Sequence, residues 1–150
     1  MGKILATNKE AYFNYKIEHK LEAGMVLSGQ EVKSAKQGNV SLKGSYVTVR
    51  NGEAFLVHAH ISAYERASDL SGYDPTQERK LLLKKAEIVS LIGKYKEQGM
   101  GLVPVDLHTK KGLVKLTIGI GRGKKKYDKR ESIKKRDADR KIKRALRKRK

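Results

Sequence analysis

Short apolar stretches alternating with polar residues, an Asn-Gly pair set between two of them, and one well-formed amphipathic helical pattern predict a mainly β chain. The expected architecture is a small closed antiparallel barrel with helices on its flank. With 150 residues the chain has room for one domain and an appendage, and a hydrophobic share of 38% limits the core to a modest one.

The elements follow in order. Phe13, Tyr15 and Ile17 alternate with polar residues, as a half-buried strand would. "LEAGMVLSG" is a second short apolar stretch, closed by Gly29. "GQEVKSAKQG" reads as a short helix between glycines. In "SYVTVRNGEAFLVHAHI", Val47 and Val49 point one way, and Asn51-Gly52 supplies the positive φ angles of a tight hairpin. Phe55, Val57, Ala59 and Ile61 then resume the alternation. In "KKAEIVSLIGKYKEQG", Ile88, Leu91, Ile92 and Tyr95 share one helical face, with Gly99 as the stop and Gly93 suggesting close packing. Val103, Val105 and Leu107 alternate before a turn at Lys111-Gly112, and Leu116, Ile118 and Ile120 alternate after it. Pro104 lacks an N–H, which places its strand at an edge or at a bulge.

Charge divides the chain. Lys and Arg outnumber Asp and Glu 35 to 16. Residues 122–150 hold 17 basic and 4 acidic residues, net +13, against +6 for the preceding 121. The expected division is therefore a barrel over 1–121 and a basic tail over 122–150. Within the tail Ala138, Ile142 and Leu146 recur every four residues beside Ala145. Like charges surround this narrow stripe and repel, so the tail is expected to be disordered alone and helical once phosphates neutralise it.

Several chemistries find no support. There is no Cys, hence no disulfide or thiol nucleophile. No apolar run reaches the roughly 18 residues of a membrane span. The N-terminal stretch is too polar for a secretory signal, and Ala6 stands where a myristoylation motif needs Ser or Thr, so the chain is expected to be cytoplasmic. "GIGRGKKK" lacks the spacing and the hydroxyl of a phosphate loop; its glycines are expected to end a strand. His58 and His60 share a face if they lie on one strand, but no spacing marks a third metal ligand. Ser34 beside Lys33 is a weak nucleophile pair. The chain is not expected to be an enzyme or to carry a cofactor.

A polyanionic partner is the positive reading. Lys33, Lys36, Arg79, Lys80, Lys84 and Lys85 are interleaved with Tyr15, Tyr46 and Tyr64; cations neutralise phosphates and aromatic faces stack on unpaired bases. A barrel of the oligonucleotide-binding type is a familiar platform for such contacts.

"LEAG…SGQEVKSAKQG", "SYVTVRNGEAFLVHAHISAY", "DPTQERKLLLKKAEI" and "RGKKKYDKRE", in this order, resemble the bacterial SsrA-binding protein (small protein B) family from about Asn8 to Ser132. The resemblance implies an oligonucleotide-binding-like barrel that grips the tRNA-like domain of transfer-messenger RNA and delivers it to stalled ribosomes for rescue. It places the family's RNA-binding carboxylate on Glu22, either contacting RNA or holding the surface through a hydrogen bond. Leu82 and Lys84 match two further positions, Leu82 with a core role as its alternative. Asn8, Tyr15, Tyr46, Lys33 and Lys36 fall on the same proposed surface. Lys36 departs from the family's usual Arg and loses its bidentate geometry, and Gln77 and Glu78 stand where relatives are more basic.

For the tail, the resemblance implies entry into the decoding centre and then a helix in the empty messenger channel. Arg122, Lys124 and Lys125 would pair with ribosomal RNA phosphates, and Tyr127 would stack on a base. Asp128, Lys129 and Arg130 form the triplet needed for accommodation, and Ile142 and Leu146 lie on the helix. Implied partners are transfer-messenger RNA, the stalled ribosome with its small-subunit RNA, and elongation factor Tu as a candidate member of the delivery complex. The protein is expected to be monomeric and to act without a membrane. A ribosomal or assembly protein with a similar barrel and basic extension is the alternative.

Overall fold

The computed structural model describes residues 2–65, 72–96, 100–124 and 140. Among them the order is β1 (Ile4–Thr7), α1 (Lys9–Asn14), β2 (Tyr15–Met25), α2 (Gly29–Lys36), β3 (Val40–Ser41), β4 (Tyr46–Arg50), β5 (Glu53–Val57), β6 (His60–Ile61), β7 (Arg79–Leu82), α3 (Lys85–Lys96), β8 (Met100–Lys110) and β9 (Leu113–Gly123).

Two tight turns organise the sheet. Asn51 and Gly52 have φ of 51° and 74°, and Lys111 and Gly112 have 51° and 79°. Paired positive values twist a two-residue loop in the sense that flanking strands already twist, so β4–β5 and β8–β9 close as hairpins in register. Seven strands join antiparallel in the order β1-β8-β9-β2-β7-β5-β4, and β3 pairs with β6 separately. The sheet rolls until β4 lies against β8. No ladder joins the edge strands β1 and β4 among the described residues, so the expected closed barrel is an open roll. Its inner face carries the core, including Leu56, Leu81, Leu107, Leu116 and Ile118, with Leu91 of α3 added.

Several local expectations are corrected. Phe13 belongs to the last turn of α1, and the strand begins at Tyr15. In β5 the buried residues are Ala54 and Leu56, not Phe55 and Val57. His58 then takes φ of 64°, ending the strand and shifting the phase by one, after which Ala59 and Ile61 are buried. His58 and His60 are consequently not neighbours on one strand. Gly93 faces open space, so close packing does not explain it. Gly99 and the side chain of Tyr95 lie outside the described residues.

Pro104 resolves to the bulge. It pairs with Ile118 and the next pair is Asp106 with Thr117, so Val105 is the extra residue. Of the glycines of "GIGRG", only Gly123 ends the strand; Gly119 and Gly121 lie inside β9. A Cβ on Gly121 would lie 2.1 Å from the Lys16 carbonyl oxygen, and one on Gly119 would lie 2.8 Å from Val105. Their absence lets β2 and β8 close on β9 beneath α1, where Ala11, Val103 and Val105 form a second small core. β9 runs to Gly123, so Arg122 lies in the sheet, opposite Lys16. The Lys124 N–H donates to the Asn14 carbonyl at 2.8 Å.

Candidate nucleic-acid interface

α1 covers only one end of the outer sheet face. Beyond it the outward positions of β8, β9 and β2 carry Asp106 and His108, Lys115 and Thr117, then Lys20 and Glu22. β7 continues that face. Gly24 pairs with Leu82, and a Cβ on Gly24 would touch the Leu82 side chain. Leu82 is 53% exposed while Leu81 is core, so the alternative of a core role for Leu82 does not hold. The result is a mixed surface: cations at Lys20, Lys80, Lys110 and Lys115, a carboxylate at Glu22 and an apolar step at Leu82.

Glu22 is tied down rather than free. Its Oε2 lies 2.9 Å from His108 Nε2, and its Oε1 accepts from Lys110 Nζ at 3.3 Å. These contacts, His108 first, hold its carboxyl below the ordinary pKa. His108 Nδ1 lies 2.8 Å from Asp106 Oδ1, which also accepts from the Thr117 hydroxyl at 2.9 Å. Burial alone would lower the pKa of His108; the hydrogen bonds to Glu22 and Asp106 outweigh it and hold the imidazole above its usual value.

The other expected RNA contacts are dispersed. Asn8 is buried, and its amide donates to the Pro104 carbonyl at 2.9 Å, bracing the bulge. Tyr15 is half-buried against Gly101 beneath α1. Tyr46 stands on edge strand β4, 47% exposed, its ring centroid 5.5 Å from that of His58. Lys33 and Lys36 are exposed on α2, and Lys33 Nζ lies 5.6 Å from the Tyr64 ring centroid. Lys84 is exposed at the entrance to α3, where its N–H donates to Glu87 at 2.9 Å. Lys125, Tyr127, Asp128, Lys129, Arg130, Ile142 and Leu146 lie outside the described residues.

Arg79 is not a surface cation. It is 2% exposed, and its Nε and Nη2 donate to Glu31 Oε2 at 3.0 and 2.8 Å. Its remaining donors reach the carbonyls of Ala59 and Pro75 at 2.5 and 2.9 Å. Gln77 donates to the same Glu31 oxygen at 3.2 Å, and Tyr73 donates to the Ile61 carbonyl at 2.8 Å. Glu31 Oε1 meanwhile accepts from the Ser28 N–H at 3.0 Å, while Ser28 Oγ accepts from the Glu31 N–H at 3.3 Å, closing a capping box at the start of α2. One carboxylate thus starts the helix and docks it on β7. Burial pushes Glu31 up, and the Ser28, Arg79 and Gln77 donors bring it below its ordinary value. Ser34 is equally structural, donating to the Ser62 carbonyl at 2.6 Å. Glu78 pairs with Arg50, which offsets part of the acidity noted there. The Ser28-x-x-Glu31 spacing could have marked the cap; nothing local marks Arg79, 48 residues away.

Among known proteins, the family model described as "SmpB protein" matches residues 5–148. A protein named SsrA-binding protein from Anoxybacillus flavithermus is 51% identical over 148 residues, covering 99% of this chain and 96% of its own. One of that name from Desulfitobacterium hafniense is 47% identical over 145 residues, covering 97% and 92%. A solved structure described as "tmRNA-SmpB: a journey to the center of the bacterial ribosome" matches with TM-score 0.66 and 37% identity over 85% of this chain and 92% of that one.

Proposed function

The chain belongs to the SmpB protein family, and from that membership we propose that it is an RNA-binding adaptor of ribosome rescue. It binds the tRNA-like domain of transfer-messenger RNA and brings it to bacterial ribosomes stalled on broken messages. The observation that carries this reading is the family match across residues 5–148, which spans both the sheet and the basic tail. The body grips RNA through phosphate neutralisation and contacts to unpaired bases, with Glu22, Leu82 and Lys84 at one border of the grip and Lys33, Lys36 and Tyr46 at others. Asn8 and Tyr15 support the surface from within.

The tail acts on the ribosome. Lys125, Tyr127 and the triplet Asp128, Lys129 and Arg130 dock in the decoding centre, and the segment carrying Ile142 and Leu146 coils in the vacant messenger channel. Occupied channels exclude it by sterics, so the adaptor distinguishes stalled from active ribosomes without chemistry of its own. Elongation factor Tu joins the delivery complex, and the protein works in the cytoplasm. Among the described residues no helix is long and apolar enough to cross a membrane. Pull-down of the full chain from native cytosol, followed by sequencing of bound RNA, tests the reading. One dominant structured RNA is expected; broad ribosomal RNA would instead indicate a ribosomal or assembly protein.

A further inference from the structure

We propose that His108 is the positioning residue of Glu22, a proton-carrying clamp whose two ring nitrogens face Glu22 at 2.9 Å and Asp106 at 2.8 Å, so that the outer sheet face holds RNA more tightly when the imidazole is charged. The inference rests on the assignment of this face to RNA. The argument is one of donor count. A neutral imidazole has one N–H, and here both nitrogens face carboxylate oxygens; only the imidazolium donates to both. Losing the proton therefore sets a lone pair against one carboxylate. Asp106 accepts from the Thr117 hydroxyl, which also lies 3.4 Å from His108 Nδ1, and is the more enclosed, with its side chain 22% exposed against 36% for Glu22. Glu22 is the partner released, keeping only Lys110, itself 58% exposed.

Both consequences act in one direction. The clamp loses a positive charge, and a freed carboxylate swings on a face that meets phosphates. The surrounding charges do not cancel this. β2 presents Lys20 and Glu22, β8 presents Asp106 and Lys110, and β9 presents Lys115 opposite His108. β1, on the far side of β8, offers Ile4 opposite His108 and no titratable group. The hydrogen bonds to Glu22 and Asp106 raise the affinity of His108 for its proton, so the change comes at a higher pH than for an unperturbed imidazole.

The test measures binding of transfer-messenger RNA by the full chain from about pH 6 to about pH 8.5, at constant ionic strength. Affinity of the wild-type chain should fall by about three- to tenfold with rising pH, an inflection of one proton. His108→Gln should flatten that inflection while the three other histidines remain. Asp106→Asn keeps the imidazole but weakens its hold on the proton. That variant should move the inflection to lower pH, and the His108 ring resonances in NMR should titrate lower with it. Unchanged profiles in both variants, with tight binding, would overturn the clamp and leave the RNA assignment standing. Absence of binding at every pH would overturn the RNA assignment, and the clamp with it, while the NMR titration separately reports whether the imidazole is held.

Discussion

Removing the guanidinium of Arg79 would leave the Glu31 carboxylate buried with Gln77, the Ser28 N–H and the Tyr73 hydroxyl at 3.5 Å as its remaining donors. Breaking a buried pair from one side strands a charge, so Arg79→Ala should cost about 3–5 kcal/mol in urea unfolding. A loss below about 1 kcal/mol, the value of an exposed pair, would contradict the burial argument. The same pair sets an acid dependence. Glu31 has a lowered folded pKa, so its stabilisation is complete above its ordinary value and is lost as pH falls through the lowered one. Glu31→Gln should therefore show a shallower acid destabilisation than the wild-type chain. His108 runs oppositely: its folded pKa is raised, so its stabilisation is present below the ordinary imidazole value and fades as pH rises through the raised one. At this scale the sequence was least informative. Arg79 and Lys80 are adjacent basic residues, and only the strand's alternation, unknown beforehand in phase, sends one inward and the other out. Nothing local marks the pairing of His108 with Glu22, which lies 86 residues away.

Elements were more legible, because hairpin turns and helical faces are local. Asn51-Gly52 and Lys111-Gly112 marked their turns, and α2 and α3 lie where the patterns placed them. Phase was harder to read: a single left-handed residue, His58, shifts inward positions from Ala54 and Leu56 to Ala59 and Ile61, and no periodicity count anticipates that. The "GIGRG" segment is expected to end a strand, yet Gly119 and Gly121 lie within β9, which ends at Gly123, and they answer to strands far away in sequence. Gly121→Ala would place a methyl 2.1 Å from a backbone oxygen of β2, which only movement of the strand can relieve. It should lower the unfolding midpoint clearly and open the β2–β9 amides to hydrogen exchange. Gly93→Ala, on open helix surface, should instead stabilise by about 0.5–1 kcal/mol. Equal effects of the two substitutions would refute the close-approach reading.

On the scale of the whole molecule, the proposed function divides the work between the sheet's outer face and residues 125–150. Residues 125–150 carry 15 basic and 4 acidic residues, enough for strong but unspecific attraction to any RNA. The body has a defined surface, with an orienting network behind Glu22 and a docked helix carrying Lys33 and Lys36. Specific recognition is therefore assigned to the body and ribosomal engagement to the tail. The direct measurement is deletion of residues 125–150, leaving β9 whole, with RNA affinity and nascent-chain tagging assayed in parallel at physiological salt. Affinity for transfer-messenger RNA should stay within about threefold of the full chain, since the proposed RNA face of the body is left whole, while tagging on stalled ribosomes falls to background. Loss of specific RNA binding on deletion, or tagging that persists without the tail, would contradict the division.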